Sequence, residues 1–164
     1  MAAHRSKEDI AELWLRRVLR SYPSQSAEFL ATERDPFRNP VGSTIRGALG
    51  ILLDELLLGM DRSRLDGALD SIMQIRAIQD LPPSGALEFL FQLKDILHHQ
   101  VSGADRKLLD GRIDDLALLA FDLYVKYRER TYQAKANEAR RRVFVLERRL
   151  MLGEEPDWQE RGGT

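Results

Sequence analysis

The sequence predicts an all-α protein built as a bundle of six or seven helices. Sustained apolar/polar alternation, which is typical of strands, is weak throughout the chain. Apolar residues instead recur at helical spacing in several segments, and proline, glycine and N-cap residues separate those segments. Apolar residues make up 43% of the 164 residues, which is enough for the core of one domain.

The first two predicted helices lie before residue 33. Ser6 is suited to cap a first helix that places Ile10 and Trp14 on one face. This helix should end before Pro23, because the residue that precedes a proline is disfavoured in the helical region. A short second helix is expected over residues 26–32.

The third predicted helix has the clearest boundaries. Asn39 is a good N-cap, Pro40 fits the first helical position, and Gly59 is a good terminator. Gly47 and Gly50 lie one turn apart near its apolar stripe. Each glycine costs up to about 1 kcal/mol of helix propensity relative to alanine. We therefore expect another helix to approach closely there.

The fourth and fifth predicted helices meet at a Pro-Pro pair. Asp61 can cap the fourth, whose apolar line continues into the polar residues Arg76 and Gln79. Pro83 or Ser84 opens the fifth helix, which is apolar on most of its circumference. Such a helix belongs in the middle of a bundle.

The last predicted helix is unusually long. Helical spacing continues from about Asp105 to Leu150, and a continuous helix over residues 112–151 would span roughly 60 Å at 1.5 Å per residue. The helix therefore either breaks near residues 130–137 or extends beyond the body of the domain. We expect one domain over residues 1–152.

The remaining residues, 153–164, are rich in polar residues and glycine and are expected to form a flexible tail.

The long helix is also strongly basic. Nine Lys/Arg and three Glu between Lys126 and Arg149 give +6, so the rest of the chain carries −7 to reach the net charge of −1. This pattern indicates either a solvated helix or a surface for a partner. Apolar residues interleave with the arginines, which favours helix packing over nucleic-acid binding. The predicted partner or dimer helix contains Arg141, Phe144, Leu146 and Leu150.

Signals of catalysis are poor. The chain contains no cysteine and no GxGxxG, P-loop, HExxH or GxSxG motif. We therefore expect a protein that is not an enzyme and needs no cofactor. No apolar run approaches the ~20 residues of a membrane span. No signal peptide is visible, so a cytoplasmic protein is expected.

Two groups of polar residues could still mark a site. His98 and His99 are adjacent, so on a helix they diverge by about 100° and cannot grip one metal together. The alternative function is a sensor that binds haem or another tetrapyrrole through one of them. Arg76 lies on an apolar face, and a buried arginine requires a partner. Asp122 and Glu129 are the candidate acids, either in a structural ion pair or in a polar docking site.

Three blocks of sequence resemble one known family. They are DPFRNPVG (35–42), IRAIQDLPPSGALEFLFQLKDIL (75–97) and AFDLYVKYRERTYQAKANEARRR (120–142). As a set they resemble the RsbRD-type N-terminal domain of RsbT co-antagonists, the stressosome regulators of bacteria, from about residue 10 to 150. The residues that match the family pattern are Asn39, Pro40, Arg76, Gln79, Pro83, Ser84, Asp122, Tyr124, Arg128, Glu129, Asn137 and Glu138.

The resemblance implies a globin-like helical fold without haem, and a protein that is usually dimeric. It also implies a non-enzymatic sensor or adaptor in bacterial stress or redox signalling. Such a protein works by binding protein partners, and binding of a small ligand is an alternative. In stressosome proteins a C-terminal STAS domain follows this domain, whereas we expect a stand-alone version here.

Overall fold

The computed structural model describes residues 6–79 and 81–153, and every helix or strand assigned within those residues is an α-helix. The order is α1 (Lys7–Leu19), α2 (Ser24–Thr32), α3 (Pro40–Leu58), α4 (Arg62–Ile78), α5 (Pro83–His98) and α6 (Gly103–Met151). The predicted all-α class and the long C-terminal helix are confirmed, and the six helices of the described residues agree with the predicted six or seven. The predicted tail lies outside the described residues from position 154 onward.

The helices begin where their cap residues predict. Ser6 and Asp9 form a reciprocal capping box at the start of α1, with both hydrogen bonds at 3.2 Å. Asn39 and Asp61 cap α3 and α4 through their side chains, and α5 opens at Pro83. The same local chemistry that marks these positions in the sequence therefore fixes the boundaries of four helices.

The chain divides after Tyr127 into two compact units. The first contains α1 to α5 and the start of α6, up to residue 127. Its most extensive helix contact joins α3 to α4, and α1 packs against α2, α3 and α5. The part of the second unit that the structure describes is helical to Met151, and we call residues 128–151 the C-terminal segment.

One face of α5 belongs to the core of the first unit. Phe89, Leu90 and Leu93 are fully buried, whereas Phe91 is 46% exposed and Glu88 and Asp95 are exposed beside it, so this helix is not enclosed on most sides as its sequence predicts. The Trp14 ring stacks on the Phe89 ring with centroids 6.1 Å apart, and its Nε1–H donates to the Phe89 carbonyl at 2.7 Å. This pair fastens α1 to α5 by both an apolar contact and a buried hydrogen bond.

The expected close approach at two α3 glycines is wrong. A Cβ at Gly47 or Gly50 would meet no atom within 4 Å. The close approach lies instead at Gly42, where a Cβ would lie 2.5 Å from the Leu30 carbonyl oxygen and 2.6 Å from Asn39 Oδ1. The reason is that the end of α2 crosses the first turn of α3, whereas the later turns of α3 have open space beside these two glycines.

The long final helix runs from Gly103 to Met151 without a break. The break considered near residues 130–137 is therefore absent. Leu109, Ile113, Leu116 and Tyr124 are among the residues that its beginning buries within the first unit. Of the helices in the described residues, none combines the length and the apolar character needed to cross a membrane.

Candidate functional site

A buried arginine lies at the end of α4. Arg76 is 3% exposed, and its Nε and Nη2 donate to the carbonyl oxygens of Ala86 and Gly85, both at 2.7 Å. The guanidinium carbon lies 5.5 Å from the centroid of the Phe89 ring, which adds a cation–π contact. The cation is thus held by two backbone dipoles and one aromatic face at the first turn of α5.

The prediction that an acidic side chain pairs with Arg76 is wrong. Asp122 and Glu129 are exposed, and no carboxylate in residues 6–79 or 81–153 is recorded in a hydrogen bond with this guanidinium. Burial lowers the pKa of Arg76, and Tyr22 and Glu88 oppose that shift through their charges. The sequence pattern located the buried cation correctly but could not reveal that backbone carbonyls would hold it.

Tyr22 belongs to the same cluster and was missed in the sequence. It follows α1, and burial raises the pKa of its hydroxyl, against smaller opposing effects of Gln79 and then Arg76. Although Gln79 lies beside it, no described atom meets this hydroxyl with hydrogen-bonding geometry. The only available signal was a lone aromatic residue placed just before Pro23.

The α4–α5 connection gathers most of the predicted polar residues of the first unit. Gln79 ends α4, and Pro83 and Ser84 are exposed at the start of α5. Tyr124 is buried, and its hydroxyl donates to the Leu81 carbonyl at 2.7 Å. The first unit therefore brings these residues together around the buried arginine.

Asn39 and Pro40 serve the junction of α2 and α3 instead. Asn39 Oδ1 accepts from the Gly42 N–H at 2.8 Å, which caps α3. Its Nδ2 donates to the carbonyls of Leu30 at 3.1 Å and Glu33 at 3.0 Å, which satisfies the end of α2. One buried amide thus joins two helix termini, and its role is structural.

The polar residues predicted in the C-terminal segment form local pairs on its own surface. Arg128 Nη2 donates to the Tyr132 hydroxyl at 2.7 Å, and its guanidinium carbon lies 4.9 Å from that ring centroid. Arg142 Nε donates to Glu138 at 3.0 Å, a pair one helical turn apart. Asn137 and Glu129 are exposed. These contacts are typical of a solvated helix surface and are worth little individually.

Large apolar side chains are exposed along the C-terminal segment. Phe144 is 63% exposed, Leu146 53% and Leu150 71%. Apolar or small residues recur here with alternating spacings of four and three, and we call this row the seam: Tyr132, Ala136, Ala139, Val143, Leu146 and Leu150. Arg141 and Phe144, which were grouped with the partner helix, lie off the seam by one or two positions.

The histidines do not support the alternative haem function. His98 Nε2 lies 2.6 Å from Asp110 Oδ1, and its Nδ1 lies 2.8 Å from Arg106 Nη2. Both ring nitrogens are therefore engaged, with Nε2 as the donor and Nδ1 as the acceptor, since Arg106 can only donate. His99 is an exposed C-cap residue. Ligation through His98 would first have to break one of these two bonds.

Comparison with curated proteins and with solved structures finds no match. The model of one protein family, the RsbT co-antagonist protein RsbRD N-terminal domain, matches residues 8–139. This span holds the buried arginine cluster, the α4–α5 connection and the first part of the seam. Since the match covers well over half of the chain, the protein belongs to the RsbRD N-terminal domain family of regulatory signalling domains.

Proposed function

We propose that this protein is a non-enzymatic sensor or adaptor that works as a homodimer, paired through the seam of its C-terminal segment. The observation that carries the proposal is the seam itself, whose members are all exposed within one chain. Alternating spacings of three and four place such residues on one side of a helix, which is the pattern of a coiled coil. A second copy of the same helix is the partner that this pattern fits.

The seam residues favour two parallel strands. Counting the seam as positions a and d of a heptad, Val143 falls at a and Leu146 at d. Among parallel coiled coils, a β-branched residue at a with leucine at d favours two strands over three or four. The two alanines of the seam, Ala136 and Ala139, would let the helix backbones approach closely at that level.

Charges beside the seam support the same orientation. In a parallel pair in register, Arg142 of each copy lies opposite Glu147 of the other, an attractive contact, while Lys135 lies opposite Arg140, a repulsive one. In an antiparallel pair, one flank of each helix would face the same flank of its partner. That flank is entirely basic: Arg128, Lys135, Arg142 and Arg149. Repulsion between these side chains disfavours the antiparallel form.

The homodimer is tested by its mass in solution. Light scattering after size exclusion should give twice the 18.8 kDa of one chain for the wild type. Leu146→Asp places a charge in the seam and should give the single-chain mass. Phe144→Asp is the matched control, since it adds the same charge off the seam and should leave the dimer intact. A wild-type monomer, or two variants that behave alike, would contradict the proposal.

The orientation is tested separately with one thiol. The chain has no cysteine, so Val143→Cys introduces a unique reactive group. Parallel strands in register bring the two introduced thiols together at the same level, and mild oxidation should join the copies by a disulfide. A dimer that stays unlinked under oxidation would refute the parallel register but not the dimer itself.

The adaptor part of the proposal concerns the residues of the C-terminal segment that would stay exposed to solvent when two copies pair through the seam. Arg141, Phe144 and Arg148 would remain exposed on each helix of the pair, an apolar side chain between two cations. This surface fits a protein partner with an acidic rim around an apolar pocket. A partner captured by the wild type and by Leu87→Ala, a change in the first unit, should be lost with Phe144→Asp. Equal capture by all three would exclude this surface.

A further inference from the structure

The first unit has an apolar groove between α6 and the start of α4. The groove has a volume of about 420 Å³, and its apolar lining residues are Met60, Leu65, Leu116, Leu118 and Leu119. Leu118 is 70% exposed, so part of this surface is open to solvent. An apolar cavity of about 150 Å³ can already hold benzene. The groove is therefore large enough to accept one aromatic side chain.

Two acids flank Leu118 along α6. Asp115 and Asp122 also line the groove and are exposed, and neither carboxylate forms an ion pair within the part of the chain that the structure describes. The remaining lining residue, Arg62, pairs with Asp66 through Nε at 2.8 Å. The groove is thus an apolar hollow with an acidic rim, and we call Asp115, Leu118 and Asp122 the acidic triplet.

The C-terminal segment repeats this arrangement with the opposite charge. Arg141, Phe144 and Arg148, which we call the basic triplet, are exposed, and neither arginine forms an ion pair within the described residues. In both triplets one charge lies three positions before the apolar residue and the other lies four positions after it. The two charges of each triplet are therefore seven residues, or about 10.5 Å, apart along one side of the helix. Both arginines can meet the two acids when Phe144 enters the groove.

Both triplets stay accessible when two copies pair through the seam. The basic triplet lies off the seam. If the heptad of the seam continued toward the start of α6, Glu129, Asp122 and Asp115 would follow at position a. Like charges would then face each other across a parallel pair, which is unfavourable. The pairing therefore ends near Tyr132 and leaves the acidic triplet available to another copy.

We propose that the basic triplet of one copy docks in the groove of another, so that homodimers join into larger assemblies. The inference rests on the proposed function, because it names a further copy of this chain as the partner of the basic surface described there. Both triplets belong to α6, an unbroken helix, so they meet only between copies. A contact between two different surfaces builds rings or open chains. The +6 of residues 126–149 and the −7 of the rest of the chain favour the same contact.

The assembly is tested by the mass of the full chain at two salt concentrations. The Debye length is about 3 Å at about 1 M salt and about 30 Å at about 10 mM. At high salt the wild type should keep the homodimer mass at every protein concentration, because the charged contact is screened. At low salt its weight-average mass from light scattering should rise with protein concentration to at least twice the homodimer mass. A homodimer mass under both conditions would overturn the proposal.

Charge reversal identifies the two surfaces. Asp115→Arg with Asp122→Arg makes the groove basic, and Arg141→Asp with Arg148→Asp makes the basic triplet acidic. Each double variant carries like charges on both surfaces and should stay a homodimer at low salt. An equimolar mixture of the two should assemble again, because each surface then meets one of opposite charge. Assembly of either variant alone, or none in the mixture, would contradict the inference.

The matched control is Glu28→Arg with Asp95→Arg. It makes the same change in net charge as the groove variant, at two exposed acids of the first unit outside the groove, and it should assemble as the wild type does. A control that stays a homodimer would show an effect of net charge alone and overturn the proposal. The two proposals fail in different measurements: a monomer at high salt would refute the seam, and a dimer that never grows at low salt would refute the groove.

Discussion

Asn39 offers the sharpest test of how this fold is held together. An N-cap on an exposed helix accepts either asparagine or aspartate with similar stability. Asn39 is buried, and its three shortest side-chain hydrogen bonds are of opposite kinds: one as the acceptor for Gly42 N–H, and two as the donor to the carbonyls of Leu30 and Glu33. A fourth, from Nδ2 to the Phe29 carbonyl, is long at 3.5 Å and is not counted in the magnitudes below. Asn39→Asp keeps the acceptor but turns a carboxylate toward two carbonyl oxygens.

The magnitudes follow from counting these bonds. At about 1 kcal/mol for each hydrogen bond, Asn39→Ala should lower the free energy of unfolding by about 3 kcal/mol. Asn39→Asp loses two of the three bonds and adds repulsion, so it should lose at least about 2 kcal/mol. The measurement is urea denaturation followed by circular dichroism, with the slope m checked for constancy.

The control for this prediction is the exposed cap of α4. Asp61 Oδ1 accepts from the backbone N–H groups of Ser63 at 2.9 Å and Arg64 at 3.4 Å, and asparagine can accept in the same way. Asp61→Asn should therefore change stability at pH 7 far less than Asn39→Asp does. If the two exchanges had equal effects, the donors of Asn39 would contribute nothing and the reasoning would be refuted.

Two further predictions concern the glycines of α3 and the acid limb of stability. Gly42→Ala should destabilise the protein by about 1–3 kcal/mol, because the new Cβ would meet the Leu30 carbonyl oxygen. Gly47→Ala should stabilise it by up to about 1 kcal/mol, since nothing lies beside this position. In urea denaturation, the changes in the free energy of unfolding of the two variants should therefore have opposite signs. Hydrogen bonds from Ser63, side chain and backbone, and from the Arg64 backbone hold the pKa of Asp61 below 3.8. The stability that the ionised Asp61 carboxylate contributes is therefore present above pH 3.8 and is lost as the pH falls through its lower folded-state pKa. Asp61→Asn should flatten the plot of unfolding free energy against pH below pH 3.8. An unchanged slope of this plot at acid pH would contradict the prediction.

The helix boundaries were largely predictable because their causes are local. Ser6, Asn39, Asp61 and Pro83 each start a helix through contacts within about one turn, and such contacts follow directly from the order of residues. The buried face of α5, with Phe89, Leu90 and Leu93, followed from the helical spacing of its apolar residues. Both inferences need only the chain's own neighbours along the sequence.

The partners of Arg76 and the surroundings of the α3 glycines were not predictable in this way. Periodicity shows which face a side chain occupies, but it does not show what crosses that face from a distant segment. The acid expected beside Arg76 was therefore replaced by two carbonyls of α5, and the close approach expected at Gly47 and Gly50 occurs at Gly42. The site was located by residue type, whereas its chemistry required the tertiary structure.

The empty space beside Gly47 has a practical use. The chain contains no cysteine, so Gly47→Cys would give the first unit one thiol at an exposed helical position where a side chain meets no neighbour. A fluorophore or spin label attached there would be tolerated without repacking.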